Sequence, residues 1–191
     1  MRITGGAYLS RALRAPRGDA TRPTSDRVRE ALFGILGARF ELAGARVLDL
    51  YAGSGALGLE AISRGAAHAT LVENARGALD AIRANVDALG VGAQVRVLAQ
   101  PVERAVRALG GKGAPFDLVV ADPPYAEVPS GSVGRVLGAL VKAEILAADV
   151  TVVLEHASVD TPPLLPGLDL VETRRYGDTS LTFYGWPPLV G

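Results

Sequence analysis

The residues best equipped for chemistry stand where one apolar run ends: Phe116-Asp117-Leu118-Val119-Val120-Ala121-Asp122-Pro123-Pro124-Tyr125. Two successive prolines have no N–H to give a sheet, so a strand must stop at Asp122 and leave its carboxylate at the sheet's C-terminal edge. Ligands of open α/β sheets bind at that edge. A carboxylate, the Pro123 carbonyl and the Tyr125 ring together suit a flat amine. Asp122 and the Pro123 carbonyl can each accept one N–H, and the ring can stack on an extruded base, a contact worth roughly 1–3 kcal/mol. An exocyclic base amine is a poor nucleophile because its lone pair is delocalised into the ring. Two acceptors localise and aim that lone pair, by positioning and electrostatic preorganisation. Asp122, Pro123, Pro124 and Tyr125 are therefore the candidate catalytic residues, for attack of a base nitrogen on an electrophilic carbon.

The donor of that carbon needs its own site. After the apolar run Val47-Leu48-Asp49-Leu50 comes Tyr51-Ala52-Gly53-Ser54-Gly55-Ala56-Leu57-Gly58, a Gly-x-Gly-x-x-Gly spacing between a predicted strand and a predicted helix. Glu73 ends the next predicted strand, where a ribose diol can be held. A dinucleotide and S-adenosylmethionine compete for such a loop. An acid at the strand end opposes a pyrophosphate and suits an ammonium and a sulfonium, so Asp49 favours the second. Asp49, the glycines and Glu73 resemble class I S-adenosylmethionine-dependent methyltransferases. The expected cofactor contacts are Asp49, Tyr51, Gly53, Gly55, Gly58, Glu73 and Asn74. At the third strand's end, Gln100 or the Val102 backbone N–H is expected at the adenine. A nicotinamide-dependent oxidoreductase is the remote alternative.

These residues need a scaffold. Strand-like runs at 47–50, 70–72, 95–98, 116–121 and 151–154 alternate with helical patterns over 57–64, 79–89, 102–109 and about 133–146. Such alternation predicts an α/β, Rossmann-like, doubly wound and mostly parallel sheet with right-handed crossovers. Residues 168–174 and 179–184, joined by Tyr176-Gly177-Asp178, predict a C-terminal antiparallel hairpin at the sheet edge. Ahead of the core, residues 1–23 read as a basic arm in which Ala7-Tyr8-Leu9 and Ala12-Leu13-Arg14 form a small β-hairpin. The methyltransferase domain is expected over 24–191. A helix begins near Pro23, with Thr24 or Ser25 as cap and Gly37 as its stop. Its apolar face is Val28, Ala31, Leu32, Ile35 and Leu36, and the opposite face displays Arg27 and Arg29.

The formal charge of the 191 residues sums to zero, yet residues 1–30 hold seven Arg against Asp19, Asp26 and Glu30. A basic end on a neutral chain is expected where one end meets a polyanion. Cysteine is absent, which removes disulfides, thiolate metal sites and the cysteine-adduct route to C5-methylcytosine. With only His68 and His156 for imidazole, no metal site is expected. Both are read as packing or surface residues, and Trp186 as the end of the last strand. No apolar run approaches the roughly 18 residues of a membrane span, and no secretory h-region follows Met1. A cytoplasmic location, no membrane partner and a monomeric chain are the expectations.

The ends of the chain choose among amines. Arg2-Ile3-Thr4-Gly5-Gly6 and Arg22-Pro23-Thr24-Ser25-Asp26-Arg27-Val28-Arg29-Glu30-Ala31-Leu32-Phe33 resemble the bacterial RsmD family, as do Leu57-Gly58-Leu59-Glu60-Ala61 and Ser63-Arg64-Gly65-Ala66. The resemblance implies a seven-stranded Rossmann-like sheet and methylation of N2 of a guanine in 16S ribosomal RNA, within the assembled small subunit. It also implies RNA contacts from Arg2, Arg11, Arg14, Arg22, Thr24, Arg27 and Arg29. A DNA amino-methyltransferase acting on N6 of adenine or N4 of cytosine, and a non-catalytic RNA-binding protein, are the alternatives.

Overall fold

Apolar runs from Arg46 onward become the strands of one sheet, seen in a computed structural model that describes residues 1–16, 26–111, 113 and 115–187. The strands are β1 (Arg46–Leu50), β2 (His68–Glu73), β3 (Val95–Ala99), β4 (Phe116–Ala121), β5 (Leu146–Ala157), β6 (Asp169–Tyr176) and β7 (Thr179–Gly185). The helices are α1 (Asp26–Arg39), α2 (Ala56–Ser63), α3 (Arg76–Leu89), α4 (Val102–Leu109) and α5 (Ser132–Lys142). Strand order is β3-β2-β1-β4-β5-β7-β6. The pairs from β3 to β5 are parallel, and β7 pairs antiparallel with both β5 and β6. This is the α/β architecture predicted, with the C-terminal hairpin β6–β7 in place.

Alternation along each central strand divides its side chains between two cores. Val47 of β1 with Leu118 and Val120 of β4 packs under α1, α2 and α3. Leu48 and Leu50 with Val119 and Ala121 pack under α4 and α5. Buried on both faces, these strands read as continuous apolar runs, which is why they were conspicuous. Each fully buried aliphatic side chain contributes roughly 1.5–3 kcal/mol. The order reverses between β1 and β4, and a crevice opens there at the C-terminal edge of the sheet. The loop after β1 and the Asp-Pro-Pro-Tyr turn after β4 are its two lips.

Four expectations need correction. α1 runs through Gly37 to Arg39, and the Phe40 N–H still reaches the Leu36 carbonyl, so Gly37 is no stop. α5 ends at Lys142 because Glu144 turns to φ 53 and the Phe116 N–H takes the Ile145 carbonyl, drawing Leu146 into β5. β5 thus starts before Thr151, with a register shift between Phe116 and Leu118. The N-terminal strand contact lies between residues 1–3 and 11–13, through the Arg2–Ala12 bridge, whereas Ala7–Leu9 is turn. The first residues, read from the sequence as a basic arm, pack on the core. Ile3 and Leu13 are buried in the α1–α3 core, and the Ala7 N–H donates to the Ser63 carbonyl of α2 at 2.7 Å. The expected caps Thr24 and Ser25, and Arg22, lie outside the described residues.

Candidate active site

The cofactor loop is bent by backbone conformations that few side chains adopt. Tyr51, Gly53 and Gly55 stand at φ 60, 57 and 79, turning the chain sharply from β1 into α2. Tyr51 is the non-glycine member, and such a residue costs about 1–3 kcal/mol that its surroundings must offset. Part of that hold is visible: the Tyr51 hydroxyl donates to Glu127 Oε2 at 3.0 Å. Burial and the Glu127 carboxylate keep this phenol protonated well above its ordinary range. Ser132 Oγ donates to the same Glu127 oxygen at 3.0 Å. Glu127 therefore ties the loop after β1 to the loop that follows the Asp-Pro-Pro-Tyr turn.

Gly58 serves packing. A Cβ there would overlap Leu71 Cδ2 of β2, so only glycine lets α2 lie this close to the sheet. Its N–H donates to Asp49 Oδ2 at 2.9 Å. Asp49 is buried, and its Oδ1 has no hydrogen-bond partner. Burial is the main force pushing this carboxyl up to about 8; the Gly58 N–H works against the rise, and the charges of Asp122 and Glu73 add to it. Glu73, in contrast, is engaged through both oxygens. Its Oε2 accepts from Gly53 N at 2.9 Å and its Oε1 from the N–H groups of Asn74 and Ala75, so it joins the glycine loop to the start of α3.

Both lips open into one cavity of about 440 Å³. Tyr51, Gly53, Glu73, Asn74, Gln100 and Val102 line it, and so do Asp122, Pro123, Pro124 and Tyr125. Asp49, Gly55 and Gly58, expected as direct cofactor contacts, are not among its lining residues; they support the loop from behind. Tyr125 is 49% exposed, so its ring is available at the mouth. Six carboxylates line the cavity, from Glu73, Glu103, Asp122, Glu127, Glu155 and Asp178, and among the described residues no Lys, Arg or His does. Such a wall opposes phosphates and attracts cations. Glu155, Tyr176, Asp178 and Thr179 come from β5 and the β6–β7 hairpin, and Met1 and Pro16 from the N-terminal segment; none of these was foreseen. No local motif marks them, because topology alone brings them to the crevice.

The basic residues divide. Arg2, Arg11, Arg14 and Arg27 are exposed. Arg29 is not on that surface: it is 0% exposed and bonded within the protein. Its Nε donates to Glu60 Oε2 at 3.3 Å, and its Nη2 to Asp26 Oδ1 at 2.9 Å and to the Arg2 carbonyl. Glu60, equally buried, also accepts from Thr4 N, Thr4 Oγ1 and Arg64 Nε, each at 2.8 Å. Arg29 is therefore a bolt between the N-terminal segment, α1 and α2, and its expected contact with RNA is withdrawn. Asn85 of α3 makes a second tie, donating to the carbonyls of Ser54 and Arg14 at 2.9 and 3.0 Å. The two histidines are structural: His68 Nδ1 meets the Gln94 carbonyl, and His156 bridges the Ala157 carbonyl and Thr182 Oγ1.

Against known proteins, residues 1–185 match the model of the family described as "Conserved hypothetical protein 95". "Putative rRNA methyltransferase YlbH" of Bacillus subtilis (strain 168) is 34% identical over 96% of this chain and 98% of its own length. "Ribosomal RNA small subunit methyltransferase D" of Escherichia coli (strain K12) is 43% identical, over 65% of this chain and 60% of that protein. Among solved structures, "Putative methyltransferase yhhF from Escherichia coli" superposes with a TM-score of 0.81 at 35% identity, covering 97% of both chains.

Proposed function

Since the chain belongs to the RsmD family, we propose that it transfers a methyl group from S-adenosylmethionine to the exocyclic N2 of a guanine in the 16S RNA of the small ribosomal subunit. The observation that carries this reading is the single acid-lined cavity into which the glycine loop and the Asp-Pro-Pro-Tyr turn both open. Its charge suits a donor bearing a sulfonium and an ammonium, and opposes the pyrophosphate of a nicotinamide dinucleotide. Asp49, buried behind the loop with a partnerless Oδ1 and its carboxyl pushed up to about 8, is a group that a cationic donor can bring to its ionised form. Tyr51, Gly53, Glu73, Asn74, Gln100 and Val102 would hold the cofactor, whose chemistry when bound is that of a methyl carried on a positive sulfur.

The remaining work is done by the chain's own groups. Tyr125 receives the flipped base on its exposed ring. Asp122 and the Pro123 carbonyl accept the two N–H groups of the amine and turn its lone pair toward the cofactor end of the cavity. As N2 forms its new bond it must lose a proton, and the Asp122 carboxylate already accepting that N–H takes it. The exposed arginines Arg2, Arg11, Arg14 and Arg27 offer phosphate contacts outside the cavity. The family resemblance implies the assembled subunit as substrate, in preference to free RNA.

Transfer of labelled methyl to small subunits lacking the modification, followed by mass analysis of the nucleosides, tests the reading. N2-methylguanosine is expected, made faster on subunits than on free 16S RNA. N6-methyladenosine or N4-methylcytidine in its place would overturn the base assignment. Asp122→Ala should lower transfer by about 10²–10³ while cofactor affinity holds, and undiminished transfer would refute the mechanism.

A further inference from the structure

We infer that Glu155 is the residue that reads the base as guanine, by accepting its N1–H next to the amine held at Asp122. This rests on the guanine-N2 reading above and adds the contact that selects the base. The register places it. Ala121 of β4 pairs with Leu154 of β5 in parallel, so Asp122 and Glu155 follow at the same level on neighbouring strands. Neighbouring strands lie roughly 4.8 Å apart. Val120 and Val153 also pair, and both pack into the α1–α3 core. Two residues further on, Asp122 and Glu155 return to that same face, and both line the cavity. Glu155 is 7% exposed, so an acceptor there works with little competition from water.

Base chemistry then makes the choice. Three bases carry an exocyclic amine. In adenine and cytosine the ring nitrogen beside that amine is a bare acceptor, N1 or N3. In guanine the amine is flanked by N3, an acceptor, and by N1–H, a donor. Asp122 alone can grip the amine of any of the three. A second carboxylate beside it meets a donor only in guanine, in a charge-assisted bond. With adenine or cytosine the carboxylate would face a ring lone pair, acceptor against acceptor, so a site built to take a donor there disfavours analogues lacking it. Asp178 of the β6–β7 turn and Thr179 at the start of β7 line the cavity with Glu155.

The test uses 2-aminopurine, which keeps the 2-amino group and has a bare N1. The target nucleotide is first located by mapping the labelled methyl in wild-type reactions. Small subunits are then reconstituted on 16S RNA ligated to carry guanine or 2-aminopurine there, and single-turnover transfer is measured for wild type and Glu155→Gln. Wild type should methylate 2-aminopurine about tenfold or more slowly than guanine. Glu155→Gln, whose amide can donate to a bare N1, should narrow that gap about tenfold, with the KM for the cofactor unchanged. Equal rates on the two bases with wild type, a comparison that needs no variant, would overturn the role of Glu155. An unnarrowed gap in a folded Glu155→Gln protein would do the same. Either result leaves N2 methylation standing. Mapping of the methyl to adenine or cytosine would instead remove the guanine reading itself, and the inference with it.

Discussion

Asp49→Asn tests the electrostatics of the site directly. The wild-type carboxyl is buried, accepts one N–H from Gly58, has a partnerless Oδ1, and is pushed up to about 8 from an ordinary 3.8. Between those values the folded protein holds a proton that the unfolded chain has lost. The contribution to stability is therefore fully present below about pH 4 and is lost as the pH rises toward 8. The slope is one proton's worth, about 1.4 kcal/mol per pH unit. Asparagine keeps an oxygen for the Gly58 N–H and cannot ionise, so the variant lacks this slope. Urea unfolding of both proteins at pH 5 to 9 should give a stability difference, wild type minus variant, that falls by about 1.4 kcal/mol per unit up to pH 8 and then levels off. A cation at the loop favours the ionised carboxylate, so S-adenosylmethionine binding below pH 8 should release close to one proton from wild type and none at this position from the variant. Calorimetry in two buffers of different protonation enthalpy measures that number. Parallel stability curves, with equal proton release from both proteins, would refute the assignment of a held proton to Asp49.

Three further outcomes are expected. Arg29→Met should cost about 3–5 kcal/mol in chemical denaturation, because it leaves Glu60 buried with one cation fewer, whereas Arg27→Ala should stay within about 0.5 kcal/mol; equal losses would mean that Arg29 is no bolt. Replacing Arg2, Arg11, Arg14 and Arg27 together should reduce the slope of log affinity for RNA against log salt by about 3, at roughly 0.7 per phosphate contact. An unchanged slope would show these arginines to be solvated only. Gly58→Ala should destabilise by about 1–3 kcal/mol through overlap with Leu71 and weaken cofactor affinity by shifting the loop, read by urea midpoint and calorimetry; a neutral result would show that α2 can lift off the sheet.

Much of this could be read in advance where one local cause dominates. Strands buried on both faces announce themselves as apolar runs, and the proline pair after β4 forces Asp122 to the sheet's edge. Arg29 shows an available signal left unused. Residues 27 and 29 are separated by about 200° around a helix, so they cannot share a face. Arg29 falls instead in line with Leu32, Phe33 and Leu36, the helix's buried stripe. Asp49 and Gly58, expected to touch the cofactor, do not line the cavity, since a Gly-x-Gly-x-x-Gly spacing does not say which glycine faces a ligand and which faces a strand. Glu155 and Asp178 had no signal at all. Each is an ordinary acid on its own strand or turn; Glu155 acquires meaning from the parallel register of β4 and β5, and Asp178 from the antiparallel return of β7 beside β5.

The sign of the cavity wall also bears on competition in the cell. Free guanine nucleotides are abundant there, and each brings its phosphates wherever its base goes. A base swung out of a polymer leaves its phosphates on the strand, outside the acidic cavity. With guanine as the substrate, the six carboxylates inside the cavity would oppose the phosphates of a mononucleotide and leave a base flipped from RNA free to enter. Such an enzyme can go on working on a rare site while surrounded by small molecules that carry the same base.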